Sequence, residues 1–391
     1  MRRVPNPYRP GFNQMPAELV GRQAVLDAAR EALAVAAYDG RTPRPLVLVG
    51  VRGVGKTVTL NEIAAIAAEE HSWLTAHVEC QPRVDVGRQL TAELVRAHHL
   101  LTESRDEAEW ILSQAKMRAS VLGLGGEVGW TRDRDRNHPV STSSLDHILE
   151  QASTAALDRD SGLVVTIDEL QQVRGPQLAE VTAAIQRRIP DGWPLVLVVA
   201  GLPTIREPKR TVTYLERGEW HELTALDPVD TRRALTEPAR SAGRPLTSAA
   251  ADLLVNAVGG YPYAIQVHGH HAWRASASSE TITAEHVETS LPRAEADLAS
   301  GLYAARWHNT SPGERTYLHA LASMHIETSG PVTGGQVAAA IEKTPGAVSQ
   351  IRDRLLKKGT LFAEGKNLRF CVPGMARWIV ETQHDRNGDS S

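Results

Sequence analysis

The sequence predicts an α/β fold in which a parallel sheet is covered by helices on both faces, followed by a helical segment and then a winged helix-turn-helix. Three observations carry this. Short runs rich in Val, Leu and Ile, among them "GLVVTIDEL" (162–170) and "PLVLVVAGLP" (194–203), alternate with helical patterns, as strands buried on both faces of a parallel sheet do. One such run, "PLVLVG", feeds a glycine-rich loop that opens directly into a helix. The last 80 or so residues read as three helices and a hairpin.

Taken in order, the Pro-rich entry "VPNPYRPGFNQMP" leads to "ELVGRQAVLDAAREALAVAAYDG", whose apolar residues recur at three and four positions before a glycine stop at Gly40. Strand, loop and helix follow in "PLVLVG", "VRGVG" and "KTVTLNEIAAIAAEE", then a strand at "LTAHVEC" (74–80) and a helix at "VGRQLTAELVRAHHLL". "LGLGGEVGWTRDRDRNHPVSTSS" is the least regular stretch, and its alternating Arg and Asp read as a solvated loop. From Asp227 to about Trp307 strand signals stop and helical patterns succeed one another. From Ser311 come "SPGERTYLHALAS", "TGGQVAAAIE" and "TPGAVSQIRDRLLKKG", then "TLFAE" and "LRFCV" around Gly365-Lys366-Asn367. "TQHDRNGDSS" has no apolar content and reads as a frayed tail.

Composition narrows the class. With 391 residues, 42% apolar and 23% charged, the chain is expected to fold as two or three soluble domains. A formal charge of -3 means that any nucleic-acid surface must be a local patch. Cys80 and Cys371 lie far apart with no pairing pattern, which fits a reducing cytosol and offers no thiolate metal site. No run of 18 apolar residues occurs, so the expectation is a cytoplasmic protein with no membrane span.

"GVRGVGKT" (50–57) matches G-x-x-x-x-G-K-[ST] in the required strand-loop-helix context. Gly53 and Gly55 let the backbone wrap a phosphate, so that N–H groups from Gly50 through Val54 to the helix start at Lys56, Thr57 and Val58 face the anion. Lys56 reaches the outer phosphates, and the Thr57 hydroxyl is a ligand for Mg²⁺. About a hundred residues later an apolar strand ends in Asp168-Glu169. Asp168 is placed to hold Mg²⁺ through water, and Glu169 to polarise an attacking water.

The ordered set "LVGRQAVL", "GVRGVGKT", "LVVTIDEL" and "LVLVVAGLP", followed by helices and a winged helix, resembles the AAA+ ATPases of the Orc1/Cdc6-like group. The entry "NPYRPGF" before "LVGR" is similar to bacterial members of it. The resemblance implies a P-loop AAA+ ATPase domain over 1–226, a helical lid over 227–307, a winged helix over 308–382 and a disordered tail over 383–391. It implies ATP and Mg²⁺ as cofactors, with Val20, Gly21 and Arg22 against the adenine and Thr204 near the sensor 1 position. It also implies a homo-oligomer formed on ATP binding, with an arginine finger given to a neighbour. Arg187, Arg188, Arg210 and Arg217 are the candidates, and Arg217 in "YLERGEW" is preferred. Two departures stand out: the strand before sensor 1 closes on Ala200-Gly201-Leu202-Pro203, and "GGYPYAIQ" offers Tyr261, Pro262 and Tyr263 where a lid arginine is usual. Both remove charge from the terminal phosphate, so slow hydrolysis is expected.

In "TPGAVSQIRDRLLKKG" Thr344 is a good N-cap and Pro345 a good first helical residue, while Val348, Ile351 and Leu355 fall on one face. Ser349, Gln350, Arg352, Arg354 and Lys357, with Lys366 in the wing, are then candidates for DNA contact, extended by Lys358 and Arg369. Asp353 amid that face argues for the rival, a protein-docking winged helix in a signalling or defence NTPase. His268, His270 and His271 in "HGHH" lack a completing ligand set and read as structural. The reading of the whole chain is an ATP-driven switch that couples nucleotide state to DNA grip.

Overall fold

The computed structural model describes residues 5–11, 14–102, 142–206, 211–328, 330–372 and 374–388. Most of the "LGLGG…STSS" loop and Arg210 lie outside them.

Five parallel strands form the central sheet: β1 (Leu46–Val49), β2 (Leu74–Glu79), β3 (Leu163–Asp168), β4 (Leu195–Gly201) and β5 (Glu219–Glu222), in the spatial order β2-β3-β4-β1-β5. Every residue of β1, β3 and β4 is buried, which is why these strands read as unbroken apolar runs with no alternation. β5 escapes that reading because "EWHE" sits at the sheet's edge, half-buried.

Side chains alternate across the sheet into two cores. Val47, Val49, Val165 and Val199 enter a core closed by α3 (Val86–Thr102), α4 (Thr142–Leu157) and α5 (Gly175–Arg187). Leu46, Leu48, Val164 and Val198 enter the other, under α1 (Gln23–Tyr38) and α2 (Lys56–His71). This second core continues without a break into the helices after Asp227 and into the C-terminal segment.

After the short α6 (Thr213–Glu216) and β5, the helical segment comprises α7 (Pro228–Ser241), α8 (Ser248–Val258), α9 (Pro262–Ala275) and α10 (Ala284–Leu298). A π turn at Ala299–Tyr303 joins α10 to α11 (Ala304–His308). The chain entry is anchored here: Tyr8 is buried against Gly269 and its hydroxyl donates to the Leu235 carbonyl, while Asn6 donates to His270. His270 thus proves structural, as does His268, which is buried and bonded to the Ala264 carbonyl.

The C-terminal segment runs α12 (Pro312–Thr328), β6 (Val332–Thr333), α13 (Gly334–Ala340), α14 (Pro345–Lys357), β7 (Leu361–Glu364), β8 (Asn367–Phe370) and α15 (Met375–Gly388). Its three strands pair antiparallel in the order β6-β8-β7. Helix, strand, two helices and a hairpin is the connectivity that a winged helix-turn-helix requires. Thr344 caps α14 through the Ala347 N–H, and Val348 and Leu355 are its buried anchors. Of the expected tail over 383–391, residues 389–391 lie outside the described residues, and α15 extends to Gly388, its apolar face being set by Met375 and Ile379 in the core.

Candidate functional site

The phosphate loop leaves the carboxyl end of β1 beside β4 and turns into α2. Gly53 (φ 78°) and Gly55 (φ 94°) both take left-handed backbone, which lets the loop turn back on itself and puts Gly55 at the N-cap of α2. A side chain at Gly53 would run into the Tyr261 hydroxyl, which donates to the Arg52 carbonyl at 2.7 Å. Tyr261 is the N-cap residue of α9, so the helical segment closes onto the loop through this contact.

Lys56 is 5% exposed, with its ammonium donating to the carbonyls of Gly50 (2.9 Å) and Val51 (3.0 Å). Burial pushes its pKa down, and Asp168 and Glu169 push it back up. The Thr57 hydroxyl donates to Asp168 Oδ2 at 2.5 Å, so the two oxygens predicted for the metal converge on one point. A hydroxyl and a carboxylate brought together beside a glycine-rich loop at a helix N-terminus fit a hard divalent cation bound with a polyphosphate.

Glu169 follows in left-handed backbone (φ 54°), a conformation that costs a non-glycine residue about 1 kcal/mol or more and concentrates at functional sites. Its carboxylate is held from two sides. Gln171 Nε2 donates to it at 2.5 Å, and Arg52 lies 3.9 Å away. The same Gln171 accepts the Leu202 N–H at 3.0 Å, tying Glu169 to the end of β4. Sequence reading missed Gln171, because a Gln two residues after an acidic pair carries no signal of its own.

Val20 is buried, and Gly21 (φ 69°) lies under Leu226 and Asp230. The Arg22 guanidinium donates to three carbonyls, Gly21 (2.9 Å), Val54 (2.8 Å) and Thr224 (3.0 Å), so its side chain braces the loop. Beside this segment a cavity of about 410 Å³ is lined by Gly21, Arg22, Val25, His221, Thr224 and Asp230. Thr204 sits in the turn after β4 and, with Val51 and Leu202, lines a second cavity of about 330 Å³, whose far wall is Leu356, Gly359, Leu361 and Cys371 of the C-terminal segment.

Other candidates lie away from the loop. Arg217 is exposed, just before β5 and so at the amino end of the sheet, opposite its own phosphate loop. Arg187 pairs with Asp146, and Arg188 with Glu150. On α14, Gln350, Arg352 and Lys357 are exposed, as is Lys366 in the wing, while the Ser349 hydroxyl donates back to the Gly346 carbonyl. Arg354 is exposed as well, but it shares a carboxylate with Lys358. Its Nε donates to Glu314 at 3.1 Å, and Lys358 donates to the same carboxylate at 2.7 Å. Arg352 lies 3.2 Å from Asp353.

A five-stranded parallel sheet with a G-x-x-x-x-G-K-T loop after β1 and an acidic pair at the end of β3 defines a P-loop NTPase. Residues 18–201, which hold these elements, match the family described as AAA ATPase domain. This stretch carries an AAA ATPase domain, of a family that uses ATP with Mg²⁺. Residues 300–379 match a domain of unknown function, DUF8462. A search of curated proteins finds no match. Among solved structures, the Walker-type ATPase of Pyrococcus abyssi is similar over 94% of this chain and 97% of its own, at 14% identity and a TM-score of 0.56, a likeness of fold that spans nearly the whole molecule. Weaker likenesses are to Aeropyrum pernix Orc1 in complex with DNA (18% identity, 94% and 92% covered, TM-score 0.47) and to the Thermotoga maritima RuvB Holliday junction branch migration motor (16%, 92% and 96%, 0.47). Among the described residues no helix is long and apolar enough to cross a membrane.

Proposed function

We propose that the protein is an Orc1/Cdc6-like molecular switch that binds Mg-ATP, hydrolyses it slowly and couples its nucleotide state to DNA binding through the C-terminal winged helix. The observation that carries this reading is the contact between the C-terminal segment and the nucleotide loop. Cys371, at the end of the wing, is buried with Lys56 and Arg52 acting on it, and Gly359 faces Leu202 at the end of β4. A change at the loop therefore has packed side chains through which to move the winged helix.

In this reading the domains are 1–226, 227–307 and 308–382. The amides of the loop after Gly50, whose own N–H bonds the Gly201 carbonyl, hold the phosphates with the start of α2 through Val58 and with Lys56; Thr57 and Asp168 hold Mg²⁺, and Val20, Gly21 and Arg22 with the 410 Å³ cavity receive the adenine. Glu169, fixed by Gln171, takes a proton from the attacking water. Thr204 takes the sensor 1 position, lining a cavity with Val51 of the loop. Turnover is slow because Tyr261 stands where a lid arginine would supply charge, and Arg217 is aimed away from its own site, at a neighbour in an ATP-dependent homo-oligomer. DNA is gripped by Ser349, Gln350, Arg352, Lys357 and Lys366. Arg354 contributes its free N–H groups at most.

A second reading has a specific observation behind it. Glu314 pairs with both Arg354 and Lys358 and cancels one of their two charges, and Asp353 lies beside Arg352, which weakens the basic patch and favours a winged helix that docks a protein. Duplex-DNA binding by fluorescence anisotropy across a salt series, with ATP, ADP and the Lys56→Ala variant, separates the two. A steep salt slope that changes with nucleotide is expected of the DNA switch, since phosphate contacts release counterions. A protein that binds ATP yet binds no DNA in any state would leave the protein-docking reading.

A further inference from the structure

α14 is brought to a stop at Gly359. The Gly359 N–H donates to the Leu356 carbonyl at 3.0 Å and the Thr360 N–H to the Leu355 carbonyl at 3.1 Å, a helix ending that needs left-handed backbone at Gly359, where φ is 64°. Glycine is required here for a second reason, because a Cβ at this position would lie 3.2 Å and 3.5 Å from the two methyl groups of Leu202. Both residues are buried, so the end of α14 rests directly on the turn after β4.

On its other side Leu202 is tied to the acidic pair. Its backbone N–H donates to Gln171 Oε1 at 3.0 Å, and Gln171 Nε2 donates to Glu169 Oε2 at 2.5 Å. Gln171 also lies tight against the end of β4, since a Cβ at Gly201 would come within 3.1 Å of the same Oε1. An amide engaged through both its oxygen and its nitrogen turns only by breaking two hydrogen bonds, so the place of Leu202 sets that of the Glu169 carboxylate. The cavity of about 330 Å³ that Leu202 and Gly359 both line leaves Leu202 volume to move into when its support changes.

We propose that Leu202 and Gly359 are positioning residues for ATP hydrolysis: the end of α14, seated on Leu202, keeps Gln171 and through it Glu169 in the orientation that activates water. The proposal rests on the hydrolysis reading above and assigns the C-terminal segment a regulatory hold on that site. When α14 lifts off Leu202, Gln171 loses its support and turnover slows, while the groups that bind phosphate and Mg²⁺ stay as they are.

The test is steady-state phosphate release from ATP by the purified full chain, for the wild type, Gly359→Asn, Gly365→Asn, Gln171→Ala and the variant that combines Gly359→Asn with Gln171→Ala. Asparagine tolerates left-handed backbone, so at Gly359 it keeps the helix stop while its Cβ pushes on Leu202. Gly365, in the wing turn at φ 62°, is the matched control, because a Cβ there meets nothing within 4 Å. Gly359→Asn should lower kcat about threefold to tenfold with KM changed less than about twofold, and Gly365→Asn should leave both unchanged. The combined variant should fall within about twofold of Gln171→Ala alone, since both changes act on one hydrogen-bonded chain. Gly359→Ala, which adds only the Cβ, carries the comparison if the asparagine variant does not fold. Unchanged kcat in the Gly359 variants, an equal loss in Gly365→Asn, or losses that multiply in the combined variant would overturn the proposal. A wild type that releases no phosphate would instead overturn the hydrolysis reading on which it rests.

Discussion

The role proposed for Glu169 depends on where its carboxylate is held, and Gln171 is the residue that hydrogen-bonds it. One amide bonds the carboxylate through its N–H and the Leu202 N–H through its oxygen, so the acid at the end of β3 and the end of β4 move as a unit. Removing a positioning hydrogen bond of this kind costs about 1 kcal/mol. Gln171→Ala should therefore lower kcat for ATP hydrolysis about fivefold to tenfold with little change in KM, whereas Glu169→Gln should abolish turnover and leave ATP binding intact. Phosphate release measured at steady state checks both, and unchanged turnover in Gln171→Ala would remove it from the site. Lys56, Thr57, Asp168 and Glu169 could be read from sequence because local spacing places them. Gln171 could not, since its reach depends on the left-handed turn at Glu169 and the tight turn over Leu170–Gln172.

At the scale of elements, α12 and α14 are stapled together by Glu314. Its carboxylate is 1% exposed and accepts from Arg354, from Lys358 and from the Ser311 N–H at 2.7 Å, while the Glu314 N–H donates to the Ser311 hydroxyl in the manner of a capping box. Burial alone would raise its pKa, but the hydrogen bonds from Lys358, Ser311 and Arg354 outweigh it and hold the group down to about 2. A depressed folded-state value means stability that is present above the ordinary value of 4.5 and lost as pH falls through about 2. Glu314→Gln is expected to cost about 2 kcal/mol in urea unfolding at pH 7, with the gap to the wild type closing as pH drops through that window. A constant gap down to pH 2 would show that the charge is not what matters. The "SPGE" pattern could have suggested the cap. The ion pairs could not have been anticipated, because their partners lie 40 and 44 residues away, and this is why Arg354 read as a free contact for DNA.

Across the whole molecule, one core runs from α1 and α2 through the helical segment to α15, and the C-terminal segment meets the phosphate loop at Val51, Leu202 and Cys371. Ligand binding at such a junction should stabilise all parts together. ATP at a hundred times its Kd is expected to add about 2.7 kcal/mol, seen as a rise of several degrees in Tm, and Lys56→Ala should show none. A rise confined to one of two separate unfolding transitions would mean that the segments are not coupled.

The sequence by itself determined the P-loop class, the order of strands and helices, the capped start of α14 and the two local motifs of the candidate site, Lys56-Thr57 and Asp168-Glu169. These follow from local spacing, burial period and turn chemistry, which act over a few residues. Only the tertiary structure decided that Thr57 meets Asp168, that Tyr261 closes on the phosphate loop, that Gln171 bonds Glu169 and that Glu314 takes up Arg354 and Lys358. Each of these joins residues that the chain brings together only when its segments pack, so no local pattern could encode them.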